Sequence, residues 1–328
     1  MTVCVAALCQ WLYPSGEEGP CVIIASDRMM TSGNTEYEPP KRKIGFLGKS
    51  ALIMAAGDFT IHSEVLNNAI SIIDSSEVSK IADIAEIYAK CLRELKSKRA
   101  VEMYLSPFGW DLNGFIAAQS RLNVELACSI FGQIQNFEID ATAIIAGCDE
   151  RGRIYIVDQD GIVSSQEEIG FAAIGLGYSH AKSQFMLAEY ASWWPCGHTT
   201  TLTYAAKKAA EVAPGVGSAT DMAVIRREGI EYLDVELMNL LQIAYEGYRN
   251  LQRDFVRSAT AQISDHFRKG GDRGIANADP TTEVTQDDRE IEVLAAADSS
   301  SPEQGGKITS TGGIDAGSRS TATNVSGT

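Results

Sequence analysis

Apolar residues recur along the first 230 residues of the chain in two distinct patterns. Short runs of small and β-branched residues, often apolar throughout, predict buried strands. Longer stretches with apolar residues near a 3.6-residue period predict amphipathic helices. The predicted strands cover residues 1–9, 21–26, 41–47, 51–56, 141–147, 154–157, 162–163, 171–174 and 222–225. The predicted helices cover residues 61–73, 81–105, 175–190 and 200–212.

The order of these elements predicts the architecture. Strands come first, then two helices, more strands, two more helices and a last strand. Helices grouped between sets of hairpins favour two sheets stacked between helical layers, rather than alternating βαβ units. Residues 110–137 are apolar and aromatic, but their pattern assigns them no element.

The C-terminal part of the chain differs in composition. Residues 233–267 have the pattern of one long amphipathic helix, and no aromatic residue follows Phe267. Residues 271–328 contain ten acidic and four basic residues among many Ser, Thr and Gly, which predicts disorder. The predicted domains are therefore 1–232, a helical extension over 233–269 and an acidic tail over 270–328.

Charge and hydropathy exclude several function classes. The formal net charge of −15 argues against nucleic acid as a main partner, because phosphate binding needs a basic face. No run of 18 apolar residues predicts a membrane span, and no charged segment with a cleavage site predicts a secretory signal. We expect a cytoplasmic protein.

The seven cysteines and four histidines predict no metal centre. The cysteines are odd in number and scattered, and no C-x-x-C or H-E-x-x-H pattern is present. They are expected to be reduced, buried, small apolar residues. We expect no metal and no cofactor.

Thr2 is the first candidate for chemistry. It begins the first predicted strand, and cells commonly trim Met1 before a small second residue. The trimmed chain would carry a hydroxyl nucleophile and a free α-amino group on one residue. Because the pKa of an α-amino group is about 7.7–8.0, it could accept the hydroxyl proton near neutral pH.

Four short motifs follow Thr2 in order. Each is weak alone, but their spacing together resembles the proteasome β-subunit and HslV-like family of N-terminal nucleophile (Ntn) hydrolases, in a divergent bacterial form. The motifs are Asp27 with Thr31 and Gly33, Lys43 sixteen residues after Asp27, Ala56-Gly57 ending a strand, and Ile174-Gly175-Leu176-Gly177 between a strand and a helix.

The resemblance implies an α+β fold, a four-layer αββα sandwich, and a threonine-type endopeptidase. It implies Thr2 as nucleophile, Lys43 as the cation beside it, Asp27 as the carboxylate that orients Lys43, and Gly57 as the oxyanion N–H. It further implies a peptide or unfolded-protein substrate and a homo-oligomeric ring or stacked assembly. An ATPase partner is not identified by the sequence.

The chain also departs from the family pattern. Leu176 stands where the family has a Ser that helps hold the nucleophile's amine, and Ser179 is the nearest replacement. Glu211 is the nearest candidate for the family's acidic residue before the last strand. These departures leave a second hypothesis, a catalytically inert assembly subunit, in which Lys43 is a surface charge and Asp27 and Gly57 are turn residues.

Overall fold

The computed structural model describes residues 2–32, 35–40, 42–76 and 78–271. The strands within these residues form two five-stranded antiparallel sheets and one short hairpin. The strands are β1 (Cys4–Leu12), β2 (Glu18–Asp27), β3 (Met30–Ser32), β4 (Thr35–Tyr37), β5 (Ile44–Phe46), β6 (Ala51–Gly57), β7 (Ala141–Cys148), β8 (Gly152–Val157), β9 (Val163–Ser165), β10 (Phe171–Ile174), β11 (Thr220–Arg226) and β12 (Gly229–Tyr232).

The first sheet has the strand order β10-β1-β2-β11-β12, and the second has the order β5-β6-β7-β8-β9. In the first sheet Cys4 lies opposite Ile174 on one side and Ser26 on the other. This register places the beginning of β1 beside the end of β2. The second sheet is a meander, in which each strand pairs with its neighbours in the chain.

Seven α-helices lie in the described part of the chain. Two short 3₁₀ turns, Ser106–Phe108 and Gln119–Arg121, flank the third of them. The helices are α1 (Phe59–Ser76), α2 (Ile81–Tyr104), α3 (Leu112–Ala118), α4 (Val124–Gln135), α5 (Tyr178–Leu187), α6 (Cys196–Ala210) and α7 (Val235–Gly271).

The apolar side chains of the two sheets meet in a shared core. Because side chains alternate along a strand, every second residue of β1 and β2 faces the second sheet. Buried residues of both sheets form this cluster: Cys4, Ala6, Val22, Ile24, Leu52, Met54, Ile144, Ala146, Ile154 and Ile225.

Helices cover the other face of each sheet. α1 and α2 pack on the second sheet through buried residues that include Val65, Ile84 and Tyr88. α5 and α6 pack on β1 and β10, where Val5, Phe185 and Ala206 belong to one buried cluster. The start of α7 joins α6 beside β2 and β11. The remaining residues of β1 therefore face helices, which explains why the strand is apolar throughout.

Most predicted elements are confirmed, with corrections at their ends. β1 begins at Cys4, so Thr2 precedes the strand rather than starting it. The prediction that residues 222–225 form the last strand is wrong, because β12 follows and pairs with β11. The loop after Asp27 contains β3 and β4, and residues 110–137 contain α3 and α4 around Phe115 and Ile130.

Of the two predictions for the C-terminal part, the structure describes the region of the first, up to residue 271. The predicted helical extension over 233–269 corresponds to α7. The described residues up to Asp265 belong to one compact unit, and the end of α7 is assigned to a second. The predicted disordered tail lies outside the described residues from 272 onward. None of the helices described is both long enough and apolar enough to cross a membrane.

Candidate active site

Thr2 is buried at the end of the first sheet where β1 begins and β2 ends. Thr2 is only 2% exposed, and its hydroxyl donates a hydrogen bond to Oδ1 of Asp27. Asp27 is the last residue of β2 and is fully buried. The backbone holds the two residues together, since the Asp27 N–H donates to the Val3 carbonyl at 3.3 Å.

Lys43 reaches the same carboxylate oxygen from the second sheet. It directly precedes β5, and its Nζ lies 3.3 Å from Oδ1 of Asp27. The Lys43 side chain is 10% exposed, so it is not a solvated surface charge. Asp27 Oδ1 thus joins the Thr2 hydroxyl to the Lys43 ammonium, although the two residues come from different sheets.

Backbone N–H groups fix the orientation of the Asp27 carboxylate. Val3 donates to Oδ1 at 3.2 Å, while Met29 and Gly217 donate to Oδ2 at 3.1 and 3.0 Å. Together with Thr2 and Lys43, five donors converge on one buried side chain. A buried carboxylate needs such partners, because burying a charge without them is costly.

The glycine-rich turn before α5 packs against the Thr2 backbone. Gly175 has φ of +85°, and a Cβ there would collide with the Thr2 carbonyl. The Gly177 N–H points to the same carbonyl at 3.5 Å, and a Cβ on Gly177 would press on Val3 and Ala210. Close approach to Thr2 therefore requires glycine at position 175, and close packing against Val3 and Ala210 favours glycine at position 177.

This turn also carries Leu176, which stands where the family has Ser, and leads to the predicted supporting residue Ser179. Leu176 is 50% exposed, so its side chain turns to solvent. Ser179 lies in the first turn of α5 and is exposed. Within the described residues, no hydrogen bond links the Ser179 hydroxyl to the Thr2 group, and it does not replace the Ser expected at position 176.

Gly57 ends β6 in a conformation that only glycine adopts readily. Its φ is +113°, and a Cβ would collide with the Asp140 carbonyl. The Cys4 thiol lies 3.7 Å from the Ala55 carbonyl, which places the end of β6 beside the beginning of β1. Asp58 then turns the chain into α1, where its carboxylate accepts from the Thr60 N–H.

His62 fixes the peptide group that contains the Gly57 N–H. Its Nε2 lies 2.9 Å from the Ala56 carbonyl, and its Nδ1 lies 2.7 Å from the Tyr88 hydroxyl. A carbonyl only accepts, so Nε2 carries the proton and, in the neutral ring, Nδ1 accepts from Tyr88. Burial lowers the pKa of His62, which favours that neutral ring.

This contact also sets the direction of the Gly57 N–H. In a trans peptide the C=O and N–H groups point in opposite directions. Because the Ala56 carbonyl points toward His62, the Gly57 N–H points away from α1. The sequence analysis did not identify His62, whose only signal was a lone His on the apolar face of a predicted helix.

Cys4 is a second nucleophilic side chain close to Thr2. Burial raises the pKa of its thiol to about 11, and the sulfur lies 3.5 Å from the Ser26 hydroxyl. A thiol with so high a pKa is protonated at neutral pH and therefore a poor nucleophile. Cys4 contributes to the core between the sheets.

Glu211 lies one step further from Thr2, in a buried ion pair. It follows α6 and accepts from Lys207 Nζ at 2.6 Å and from Lys208 Nζ at 2.7 Å. Lys207 is fully buried and also donates to the Gly217 carbonyl at 2.8 Å and the Ser218 carbonyl at 3.1 Å. Because the Gly217 N–H donates to Asp27, Glu211 connects to the site through Lys207.

Sequence reasoning missed Lys207 although a signal was present. Buried residues of α6 recur at Thr203, Ala206 and Ala210, and Lys207 lies on that face. A lysine on an apolar helical face, four residues before an acidic residue, indicates a buried pair. Burial lowers the pKa of Lys207, although its hydrogen bond with Glu211 opposes the shift.

The burial and the positions of the cysteines differ from the prediction. Cys128 is exposed, so the prediction that all seven are buried is wrong for it. Cys9, Cys21 and Cys196 are distant in sequence, but their sulfur atoms lie within 4.8 Å of one another. The sequence analysis expected no metal site, because strand register and helix packing, rather than a local spacing, bring these thiols together.

Comparisons with known proteins assign no family to the chain. Its sequence matches no protein-family model, and no curated protein shows significant similarity to it. The site itself consists of a hydroxyl and an ammonium that share one buried carboxylate oxygen.

Proposed function

We propose that this chain is a threonine-type peptidase of the proteasome-like Ntn class, with Thr2 as nucleophile after removal of Met1. The observation that carries the proposal is the shared contact of Thr2 and Lys43 with Oδ1 of Asp27. A hydroxyl beside a buried ammonium and carboxylate is the environment in which an alkoxide would be stabilised.

The proposal includes the finer description of the fold. We interpret the two facing sheets, with α1 and α2 on one side and α5 and α6 on the other, as the four-layer αββα sandwich of Ntn hydrolases. The catalytic domain covers residues 1–232, followed by the extension over 233–269 and the tail over 270–328. The shared core between the sheets and the helix-covered outer faces support this interpretation.

In the proposed mechanism Thr2 Oγ1 attacks the peptide carbonyl carbon. The free α-amino group of Thr2 accepts the hydroxyl proton and returns it to the leaving amine as the peptide C–N bond breaks. The product is an ester between the substrate acyl group and Thr2, which water hydrolyses with the same amine as base. Lys43 stabilises negative charge at Oγ1, and Asp27 holds Lys43 in place.

Gly57 is proposed to donate its N–H to the oxyanion formed in each step. The His62 contact with the Ala56 carbonyl keeps this N–H in one orientation before substrate binds. Such preorganised donors stabilise the transition state without reorganisation during the reaction. His62 is a positioning residue in this mechanism and does not touch the substrate.

The second candidate function is an inert assembly subunit. Thr2 is only 2% exposed, and Leu176 offers no hydroxyl near its amine, so both observations favour this alternative. The two functions differ in Thr2-dependent hydrolysis. The test compares wild type, Thr2→Ser and Thr2→Ala on a panel of fluorogenic peptides, with N-terminal mass spectrometry to establish whether Met1 is absent.

A peptidase predicts activity in wild type, retained in part by Thr2→Ser and lost in Thr2→Ala. The inert subunit predicts equal, background rates in all three. Activity in Thr2→Ala equal to that of wild type would place the chemistry elsewhere and sink the proposal.

We further propose that the protein assembles with copies of itself through α7 and takes peptides or unfolded protein as substrate. Residues spaced three and four apart on α7, namely Leu241, Ala244, Tyr248, Leu251 and Phe255, form the seam typical of packed helices. Leu251 and Phe255 are 71% and 74% exposed. Exposed apolar residues in this arrangement favour burial against another helix.

A further inference from the structure

Three thiols meet at the end of the first sheet remote from Thr2. Cys9 on β1 lies directly opposite Cys21 on β2, and their sulfur atoms are 3.0 Å apart. Cys196, the first residue of α6, completes the group, and all three sulfurs lie within 4.8 Å of one another. Cys9 and Cys21 are buried, while Cys196 is half-buried.

This group is separate from the candidate active site. Cys9 lies seven positions after Thr2, which at the rise of a strand corresponds to about 23 Å. The Thr2 mechanism uses none of the three thiols. Buried thiols this close to one another lack an explanation in the packing of the core alone, since a single small apolar residue would serve at each position.

We propose that Cys9, Cys21 and Cys196 bind a thiophilic metal ion, Zn²⁺ or Cu⁺, as thiolates. A Zn–S bond of about 2.3 Å separates the sulfurs of a tetrahedral site by about 3.8 Å. The observed separations, from 3.0 Å to within 4.8 Å, bracket that value. Soft thiolate ligands select Zn²⁺ and Cu⁺ over Mg²⁺ and Ca²⁺.

Arg226 supplies an independent observation at the same place. It lies directly opposite Cys21 on β11, so Cys9, Cys21 and Arg226 form one row across three neighbouring strands. Its Nη2 donates to Glu231 at 2.6 Å, but its buried Nε has no hydrogen-bond partner among the described residues. A buried N–H donor without an acceptor is costly.

A metal-bound thiolate would provide a hydrogen-bond acceptor for the Nε–H group of Arg226. Three thiolates around Zn²⁺ carry a net charge of −1, which the guanidinium of Arg226 offsets. The guanidinium also stacks on Trp11 at 4.3 Å, which limits its motion.

A cavity of about 460 Å³ adjoins the third thiol. Cys196 and Thr200 line it, together with Trp11 and Leu241. The Thr200 hydroxyl lies 3.8 Å from the Cys196 sulfur and donates to the Cys196 carbonyl. The cavity reaches the proposed site at Cys196 and leaves space there for a fourth ligand of the metal ion, such as water.

The test measures metal binding by the full-length protein. Reduced, chelator-stripped protein is incubated separately with excess Zn²⁺ and with Cu⁺, then desalted and analysed for metal per chain. Wild type and Cys128→Ser, which lacks only the exposed thiol, should retain about one ion per chain. Cys196→Ser should bind at least about tenfold more weakly, because it removes one of three thiolates.

Alkylation of the cysteines in wild type is a second readout, which does not depend on the folding of a variant. Bound metal should block alkylation of Cys9, Cys21 and Cys196 in wild type, while Cys128 stays reactive with or without metal. Retention of Zn²⁺ alone or Cu⁺ alone identifies the ion. The proposal is overturned if neither ion is retained, if Cys196→Ser retains metal as wild type does, or if peptide mapping finds a Cys9–Cys21 disulfide in place of bound metal.

Discussion

At the scale of single residues, the account depends on one carboxylate oxygen that joins two functional groups. Asp27 Oδ1 accepts from Thr2 and from Lys43, so a change at Lys43 should act on the nucleophile. We predict that Lys43→Ala lowers kcat/KM on peptide substrates by about 100- to 1,000-fold, as for other preorganised electrostatic groups. Initial rates on fluorogenic peptides, with thermal melts in parallel, measure this loss.

Lys90→Ala is the matched control for Lys43→Ala. Lys90 is a 67% exposed lysine on α2, and its Nζ lies 3.9 Å from the carboxylate of Glu94, which is 64% exposed. Lys90→Ala should leave both the peptidase activity and the melting temperature unchanged. Peptidase activity that survives Lys43→Ala at the level of Lys90→Ala would contradict the role of Lys43.

His62 predicts a pH dependence of stability. Its pKa in the folded chain lies below the ordinary value of 6.5, because burial disfavours the charged ring. Below about pH 6.5 the unfolded chain therefore binds more protons than the folded chain, and the free energy of unfolding decreases as pH falls from 7. Urea denaturation at pH 7.5, 6.5 and 5.5 measures that decrease.

Replacing His62 should remove this component of the pH dependence. His62→Gln is expected to be less stable at pH 7.5 but to lose less stability on acidification than wild type. His180→Gln changes an exposed histidine and should follow the wild-type curve. A His62→Gln curve parallel to that of wild type would show that folding does not shift the pKa of His62 and would contradict this prediction.

The residues that sequence could predict are those whose spacing along the chain carries the signal. Thr2, Asp27 and Lys43 have fixed separations, and the structure brings all three together. His62 and Lys207 gave only the weaker signal of a polar residue on the apolar face of a helix, because most of their partners lie in other parts of the chain. Ser179 was chosen for its position in sequence, but the first turn of α5 points it to solvent.

At the scale of elements, α6 is linked to the site by its buried lysine. Lys207→Met should destabilise the protein by about 3–5 kcal/mol, the usual cost of breaking one half of a buried ion pair. It removes the donor to the Gly217 and Ser218 carbonyls as well as to Glu211. Chemical denaturation measures the change in unfolding free energy.

Lys208→Met provides the comparison for Lys207→Met. Lys208 also pairs with Glu211, but it is 14% exposed and makes no contact with the Gly217 loop in the described residues. Because Lys207 still pairs with Glu211 in this variant, the loss of Lys208 should cost less unfolding free energy than the loss of Lys207. Equal losses in the two variants would mean that the Gly217 loop contributes nothing to the effect.

Helices and strands were predictable where their burial produces a regular spacing of apolar residues in the sequence. The central strands β1, β2, β6 and β7 are buried along most of their length, so their apolar runs are distinct, and α1 and α2 bury one face each. β12 lies at a sheet edge with a partly exposed pattern, and its signal is weaker. α3 and α4 are short and pack mainly around Phe115, which leaves no long periodic stretch to detect.

At the scale of the whole molecule, α7 predicts self-association. The double variant Leu251→Glu, Phe255→Glu places two charges on the apolar seam and should shift sedimentation toward the monomer at micromolar concentration. Arg253→Glu alters charge between the same two residues but off the seam, and should sediment as wild type does. Wild type that sediments only as a monomer would contradict the proposed assembly.

The central claim is that Thr2 is an activated N-terminal nucleophile. The most direct measurement is the intact mass of the purified protein before and after incubation with a peptide epoxyketone, which adds to an N-terminal Thr. The account predicts a chain without Met1, a mass increase of one inhibitor per chain, and no increase for Thr2→Ala or for Lys43→Ala over the same time. A chain that retains Met1, or that lacks Met1 and gains no adduct, would contradict it.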